Sequence, residues 1–299
     1  MEKIRIMSNL LKTNTFKIVG KLTSANVEQK AKTTDGSTYV MVNAVVVSSI
    51  NGVENDYEIT FYANQLTADK KVSTLFNQYV SMPSLIGKKV EISGSIRSNR
   101  FYSVKDDQMR NAQTLSGRFV HGVADSVEDS AIFEVGGFLV SALTEKKNKF
   151  NEIYAYEVGM GIANYNEDNM SLITLHIRPT DREIINGLKN YQVGNTFTLN
   201  GSLNFITKIV TQEDSSEGGF GQKIVRTFTN KQKNYWVEGG SAVITDPDQA
   251  YSSALVRTLT SAFKAKDVEL QNNAKSKGET SAAPVEDAPV ITSRQASLI

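Results

Sequence analysis

Arg97, Arg100, Phe101, Tyr102, Lys105, Arg110 and Arg118 crowd between positions 97 and 118. Cationic side chains track phosphates, and exposed rings receive unstacked bases at about 1 to 3 kcal/mol per base without regard to sequence. Interleaving the two residue types therefore suits a groove for a single nucleic-acid strand. A second stretch repeats the mixture. Phe205 and Lys208 lead into an EDSSEGGFGQ tip around Phe220, and Lys223, Arg226, Phe228, Lys231, Lys233, Tyr235 and Trp236 lead out. Tyr39 and Tyr62 add rings upstream of the first stretch, and Tyr154, Tyr156, Tyr165, His176 and Arg178 do so upstream of the second. A solvated turn competes for the first stretch, because Asp106 and Asp107 sit at its tip.

Other chemistries have little to work with. The chain of 299 residues has no cysteine and two histidines, His121 and His176. That excludes disulfides, thiolate nucleophiles and sulfur-bound zinc. Gly159-Met160-Gly161 sits inside a strand-like run with no third glycine and no following helix, so it reads as structural rather than as a dinucleotide fingerprint. Asp125, Glu128 and Asp129 read as a solvated linker. No catalytic residue, metal or cofactor is expected, and the chain reads as a non-enzymatic protein.

The elements that must carry these residues are mostly strands. Phe16–Thr23, Tyr39–Ser48, Tyr57–Tyr62, Lys89–Ile96 and Arg118–Ala124 are short alternating or apolar runs rich in Val, Ile, Thr, Tyr and Phe. Between the third and fourth, the spacing of Leu66, Val72, Leu75, Phe76 and Tyr79 predicts a helix over 63–79. Alternation sends Tyr57, Ile59 and Phe61 to one face and Glu58, Thr60 and Tyr62 to the other, so some of these rings belong to a core.

The order then recurs. Strands are expected over 132–143, 154–163, 171–177 and 196–205 and within 223–237, with a helix at about 180–191. FKIVGKL from Phe16 matches FEVGGFL from Phe133, and the tracts from Gly87 and Gly194 share G-x-x-φ-x-φ-x-G-S-φ, where φ is apolar. Internal duplication explains both matches. Three strands, a helix and two strands, with a glycine in the first strand, is the order of the five-stranded OB barrel. Gly20, Gly94, Gly137 and Gly201 would permit the sharp coiling that so small a barrel needs.

The expected architecture is mainly β: a basic N-terminal arm (1–15), OB-fold barrels over 16–130 and 131–245, an amphipathic C-terminal helix (246–272) and a disordered tail (273–299). The helix should dock on a barrel or mediate self-association. Charge is locally rather than globally basic, since residues 1–34 hold seven Lys/Arg against two Glu while the whole chain nets +1. With no apolar run near the roughly 18 residues of a membrane span and no signal-length apolar segment, the chain reads as cytoplasmic.

The tract ENDYEITFYANQLTADKKVSTLFNQYVSMPSLIGKKVEISGSI resembles single-stranded DNA-binding proteins of the OB class. Gly87, Val90, Ile92, Gly94 and Ile96 match that family's fourth-strand pattern, G-x-x-V-x-[IV]-x-G-x-[IL]. The resemblance covers roughly 16–240 as two copies. It implies a protein that coats and protects transient single strands during DNA replication, recombination or repair, alongside replication enzymes. A tandem-barrel chain is also similar to binding proteins carried by some large bacterial viruses, which would act in the host cytoplasm. The ITSRQASLI end lacks the acidic, phenylalanine-tipped tail through which bacterial members recruit partners. RNA remains an alternative ligand, because stacking does not separate it from DNA. A virion or assembly protein using its barrels for protein contacts is the alternative from another class, and near-neutral charge favours it.

Overall fold

The computed structural model describes residues 9–32, 36–67, 69–214 and 224–277, with the side chains of 208–228 and 277 excepted. Ten strands form one continuous sheet that closes into two rings. The first ring contains β1 (Asn14–Ala31), β2 (Thr38–Ile50), β3 (Val53–Asn64), β4 (Lys89–Ser103) and β5 (Gln108–Gly122). Antiparallel ladders join β1 to β2, β2 to β3, β4 to β5 and β1 to β4, and a parallel pairing of β3 with β5 closes the barrel.

The second ring repeats this with β6 (Ser130–Lys147), β7 (Ile153–Ala163), β8 (Met170–Ile177), β9 (Thr196–Asp214) and β10 (Ile224–Gly240), closed by the parallel pair β8–β10. This is the OB order twice.

Period-2 alternation fills each interior. Val40, Val42, Ala44 and Val46 of β2 face Tyr57, Ile59 and Phe61 of β3 in a core that also takes Phe16, Ile18, Leu22 and Ile92. The closest approaches require glycine. A Cβ on Gly94 would lie 2.0 Å from the Ser116 carbonyl oxygen, and one on Gly201 would lie 1.9 Å from that of Trp236.

The helix between β3 and β4 is shorter than the periodicity of its side chains suggests. Ala63 and Asn64 still belong to β3, and Leu66 and Val72 form an isolated bridge with both side chains exposed. Thr67 and Lys70, the latter at φ 60°, turn the chain there. Only then does α1 (Thr74–Val80) begin, its first turn capped by the Ser73 hydroxyl accepting from the Phe76 N–H. It buries Phe76 and Tyr79, closing one barrel mouth. A single 3₁₀ turn, Met82–Leu85, follows. In the second ring α2 (Arg182–Lys189) holds the corresponding place and buries Ile185 and Leu188.

The two barrels are joined through their first strands. β1 pairs antiparallel with β6 so that Phe16 lies opposite Phe133, its own counterpart in the duplicated tract, with Asn14 opposite Val135 and Ile18 opposite Ala131. In the duplicated numbering Val135 is the counterpart of Ile18 and Ala131 that of Asn14, so each of the two meets the copy of the other, as in an isologous two-fold interface. The hairpins obey the same symmetry. Asn111 and Gln113 of β5 donate side-chain hydrogen bonds to the Leu172 and Thr174 carbonyls of β8, at 3.1 and 3.0 Å. Reciprocally, β9 and β10 cross onto β3. There the Asn55 side chain accepts from the Phe205 N–H at 3.0 Å, the Tyr57 hydroxyl donates to the Leu203 carbonyl at 2.8 Å, and Lys231 and Lys233 pair with Glu58.

A long helix, α3 (Ser253–Lys277), straps this pair. Leu255, Val256, Leu259 and Phe263 pack with Phe138, Ala163, Met170 and Tyr251 at the end of the second barrel. Tyr251 clasps the N-terminal arm: its hydroxyl donates to the Leu11 carbonyl at 3.0 Å and accepts from the Ala163 N–H at 3.1 Å. Burial pushes its phenol up to about 12. No helix among the described residues is long and apolar enough to cross a membrane.

Candidate nucleic-acid interface

The outward rows of the barrels carry the exposed rings. On the first barrel Tyr62 is 43% exposed, and its ring lies 5.2 Å from that of Tyr39 across the β2–β3 ladder. The Tyr62 hydroxyl donates to the Asn64 side-chain oxygen at 3.0 Å, which fixes the ring's tilt. β3 runs parallel to β5 with Phe61 opposite Gly117, so Tyr62 and Arg118 follow one step beyond. A bulge opposite Ser93 and Gly94 breaks the alternation of β5 and turns both Arg118 and Phe119 to solvent. The Arg118 guanidinium sits 5.2 Å from the Phe119 centroid, within cation–π reach. Phe119 is 47% exposed.

The second barrel makes a related patch with the types exchanged between strands. Arg178, at the end of β8, lies 5.1 Å over the indole of Trp236 on β10, and His176 meets the same indole edge-on at 5.9 Å. Asp181 and Glu238 flank Arg178 at 3.6 and 3.5 Å, so this guanidinium is already partly neutralised. One row of cross-strand partners links the patches: Phe119, Ser93, Lys17, Ile132, Ser202 and Trp236. At a strand spacing of about 4.8 Å, its five steps span about 24 Å.

His176 is the half-buried imidazole of the second patch. Burial lowers its pKa, the Glu157 carboxylate at 3.8 Å opposes that, and Lys146 adds to the lowering. Its Nδ1 accepts from the Tyr235 N–H at 3.2 Å, which the neutral ring can do and the protonated ring cannot. With the folded-state pKa below the unfolded value, the unfolded chain binds the extra proton. Stability from this group is therefore complete above about pH 6.5 and declines as the pH falls below it. His176→Asn keeps an acceptor without the titration, and its urea midpoint should fall less than that of the parent between pH 7 and pH 5. Parallel declines would show that His176 is not the group concerned.

The hairpin residues meet different fates. Arg97 and Lys105 are exposed, and Phe101 is half-buried. Arg110 is exposed but paired with Asp106 at 2.6 Å across the tip. Arg100 is held by both oxygens of Asp267 on α3, and Tyr102 is buried with its hydroxyl on Asp107. Tyr235 is also buried, packed edge-on against Phe133 and Phe205. Tyr102 and Tyr235 were expected to face a ligand, and neither has a free face to stack on a base. Alternation places them on the inward side of their strands.

Lys231 and Lys233 bind Glu58 of the first barrel. Burial would raise Glu58, and the hydrogen bond and charge of Lys231, with Lys233, more than offset it, holding the carboxyl below its usual value. Tyr154 is 51% exposed and Tyr156 half-buried on β7. Phe220 and Lys223 lie outside the described residues, as do the side chains of Lys208, Arg226 and Phe228. Phe119 was not among the expected site residues. Among the described residues, no group of three or more His, Asp or Glu side chains could hold a metal ion.

A family model called YorF matches residues 12–277, from the N-terminal arm to the last residue of α3. The chain belongs to the YorF family. The YorF match includes both barrels and the helix that straps them, so the three parts form a single family unit. No curated protein sequence matches the chain. Among solved structures it is similar to the wild-type single-stranded DNA binding protein from Thermus aquaticus, at 12% identity and a TM-score of 0.48, covering 80% of this chain and 97% of that one. It is also similar to a small single-stranded DNA-binding protein from Streptomyces coelicolor, at 14% identity and a TM-score of 0.22, covering 37% and 94%.

Proposed function

We propose that the chain binds single-stranded DNA without sequence preference, coating and protecting transient strands in replication, recombination or repair within the cytoplasm, and that it is not an enzyme. The observation that carries this reading is the doubled ring-and-guanidinium patch: Tyr39, Tyr62, Arg118 and Phe119 on one barrel, Arg178 and Trp236 on the other. Rings of this kind stack on bases of any identity, and the guanidiniums neutralise phosphates. A net charge of +1 leaves the electrostatic attraction to such local groups.

A second reading, a protein-assembly module, is favoured by one observation. The outward row of β3 begins Glu54 and Asp56, whose carboxylates repel a polyanion.

A titration decides between them. Trp236 fluorescence and a labelled oligo(dT) of about 30 nucleotides are followed at two salt concentrations, with duplex DNA and oligo(U) as competitors. The proposal expects binding that oligo(dT) outcompetes duplex for, with a log–log salt slope of about −0.7 per neutralised phosphate. Absence of binding at low salt would leave the assembly reading. Preference for oligo(U) would make RNA the ligand.

A further inference from the structure

The C-terminal half of α3 lies across the side of the β4–β5 hairpin that bears Arg100. A cleft of about 160 Å³ opens there, lined by Ser98, Asn99 and Arg100 of β4, Ser171 of β8, and Lys266 and Asp267 of α3. Within it the Arg100 guanidinium makes two parallel hydrogen bonds to the Asp267 carboxylate, Nε to Oδ1 at 2.5 Å and Nη2 to Oδ2 at 2.7 Å, and it lies 4.7 Å over the Phe263 ring. A guanidinium fork that grips a carboxylate in this way presents the same donors to two oxygens of a phosphodiester.

We propose that this cleft is a phosphodiester-binding subsite, closed in the free protein by Asp267 standing where a backbone phosphate of the bound strand would lie. The subsite rests on the single-strand reading above and adds to it a switch: α3 must lift, or Asp267 must turn away, before Arg100 can bind the strand.

The way α3 is attached supports such movement. Its first half is anchored by Leu255, Val256, Leu259 and Phe263 among Phe138, Met170 and Tyr251. Beyond Phe263 the anchors are the Arg100–Asp267 pair, the Lys275 ammonium 3.5 Å from Asp107 and 5.3 Å from the Tyr102 ring, the half-buried Leu270 and the small buried side chain of Ala274. The exposed Lys275–Asp107 pair weakens with salt, and the half-buried Arg100–Asp267 pair is a charge contact that a phosphate can exchange into, whereas the apolar anchors of the first half offer a polyanion nothing to compete for. The second half is therefore the part that a competing polyanion can displace. Lys266, exposed on α3 and lining the same cleft, supplies a second cation to the subsite when Asp267 turns away.

A cycle of full-length variants, Asp267→Asn, Arg100→Ala and the double variant, tests this by oligo(dT) titration at two salt concentrations, with circular dichroism as the fold check. Asp267→Asn should bind about fivefold or more tightly than the parent and steepen the log–log salt slope by about 0.7. That gain should vanish in the double variant, because Arg100 is the group released. An equal gain with and without Arg100 would mean a general loss of negative charge and would overturn the subsite, as would a parent-like affinity and slope for Asp267→Asn. If neither the parent nor any variant binds oligo(dT), the single-strand reading itself falls and the subsite with it.

Discussion

Gly201→Ala should destabilise the second barrel by about 3 kcal/mol or more, at the severe end of overpacking substitutions. The added Cβ would lie 1.9 Å from the Trp236 carbonyl oxygen, 2.8 Å from its carbonyl carbon and 3.0 Å from the Glu238 nitrogen. All three atoms are backbone, so no side chain can swing aside. Relief requires β9 and β10 to part where Gly201 opposes Val237 and Ser202 opposes Trp236, which weakens the ladder beside the bulge at Val237 and Gly239. Gly201 also opposes Phe133 on its other edge, so the displacement reaches the joint between barrels. Urea unfolding followed by Trp236 fluorescence reads this locally. Gly122→Ala is the control: its Cβ would find only the Lys89 carbonyl oxygen, at 4.0 Å, and should shift stability by no more than about 0.5 kcal/mol. Equal midpoints for the two variants would show that β9 and β10 yield without cost.

The same close approach explains why the barrels were legible in the sequence. A glycine whose Cβ has no room leaves a mark at a fixed place in the strand order, and Gly94 and Gly201 mark it twice within G-x-x-φ-x-φ-x-G-S-φ. Alternation located most strand cores for a similar reason, since one face of each is buried, but β5 runs from Gln108 to Gly122 where 118–124 was expected, and its pairing with β3 at Leu115, Ser116 and Gly117 lies before that range. The β1–β6 joint left no comparable mark. Its register depends on Phe16 meeting Phe133 across 117 positions, and nothing local to either residue announces the other. The strand ends failed likewise: β4 continues to Ser103 and β9 to Asp214 because their hairpins reach across to the other barrel. The helix after β3 was overextended because Leu66 and Val72 fit a helical spacing while forming a small bridge instead.

For the candidate interface, residue type was legible and orientation was not. Arg100 and Tyr102 carry ligand-binding chemistry in the sequence, yet α3 engages both from more than 160 positions away, through Asp267 and Lys275. Tyr235 looks like its neighbours in the stretch KQKNYWVE, and only the β10 register shows it pointing inward beside an outward Trp236. Phe119 was passed over because RFVHGV reads as an alternating strand. The bulge that turns Phe119 outward depends on Gly94 of the opposing strand.

Removing the outward rings should weaken single-strand binding more than removing any one cation. Tyr62→Ala and Trp236→Ala should each lose about 1 to 3 kcal/mol, the range for a ring stacked on a base. Tyr62 is held by Tyr39 and Asn64, and Trp236 by Arg178 and His176, so both rings are positioned before a ligand arrives. They lie on different barrels with no shared partner, so the losses should add to about 2 to 6 kcal/mol if one strand engages both patches. If only one barrel binds, one of the two variants will match the parent. Salt dependence separates the two kinds of contact. Ring variants should leave the log–log slope unchanged, whereas Arg118→Ala should reduce it by about 0.7, the mark of one lost phosphate contact. Tyr62→Phe, which keeps the ring, should bind like the parent. Parent-like affinity for both alanine variants would take the strand off these faces, and an altered slope in Tyr62→Ala would mean that the patch acts through its charges rather than its rings.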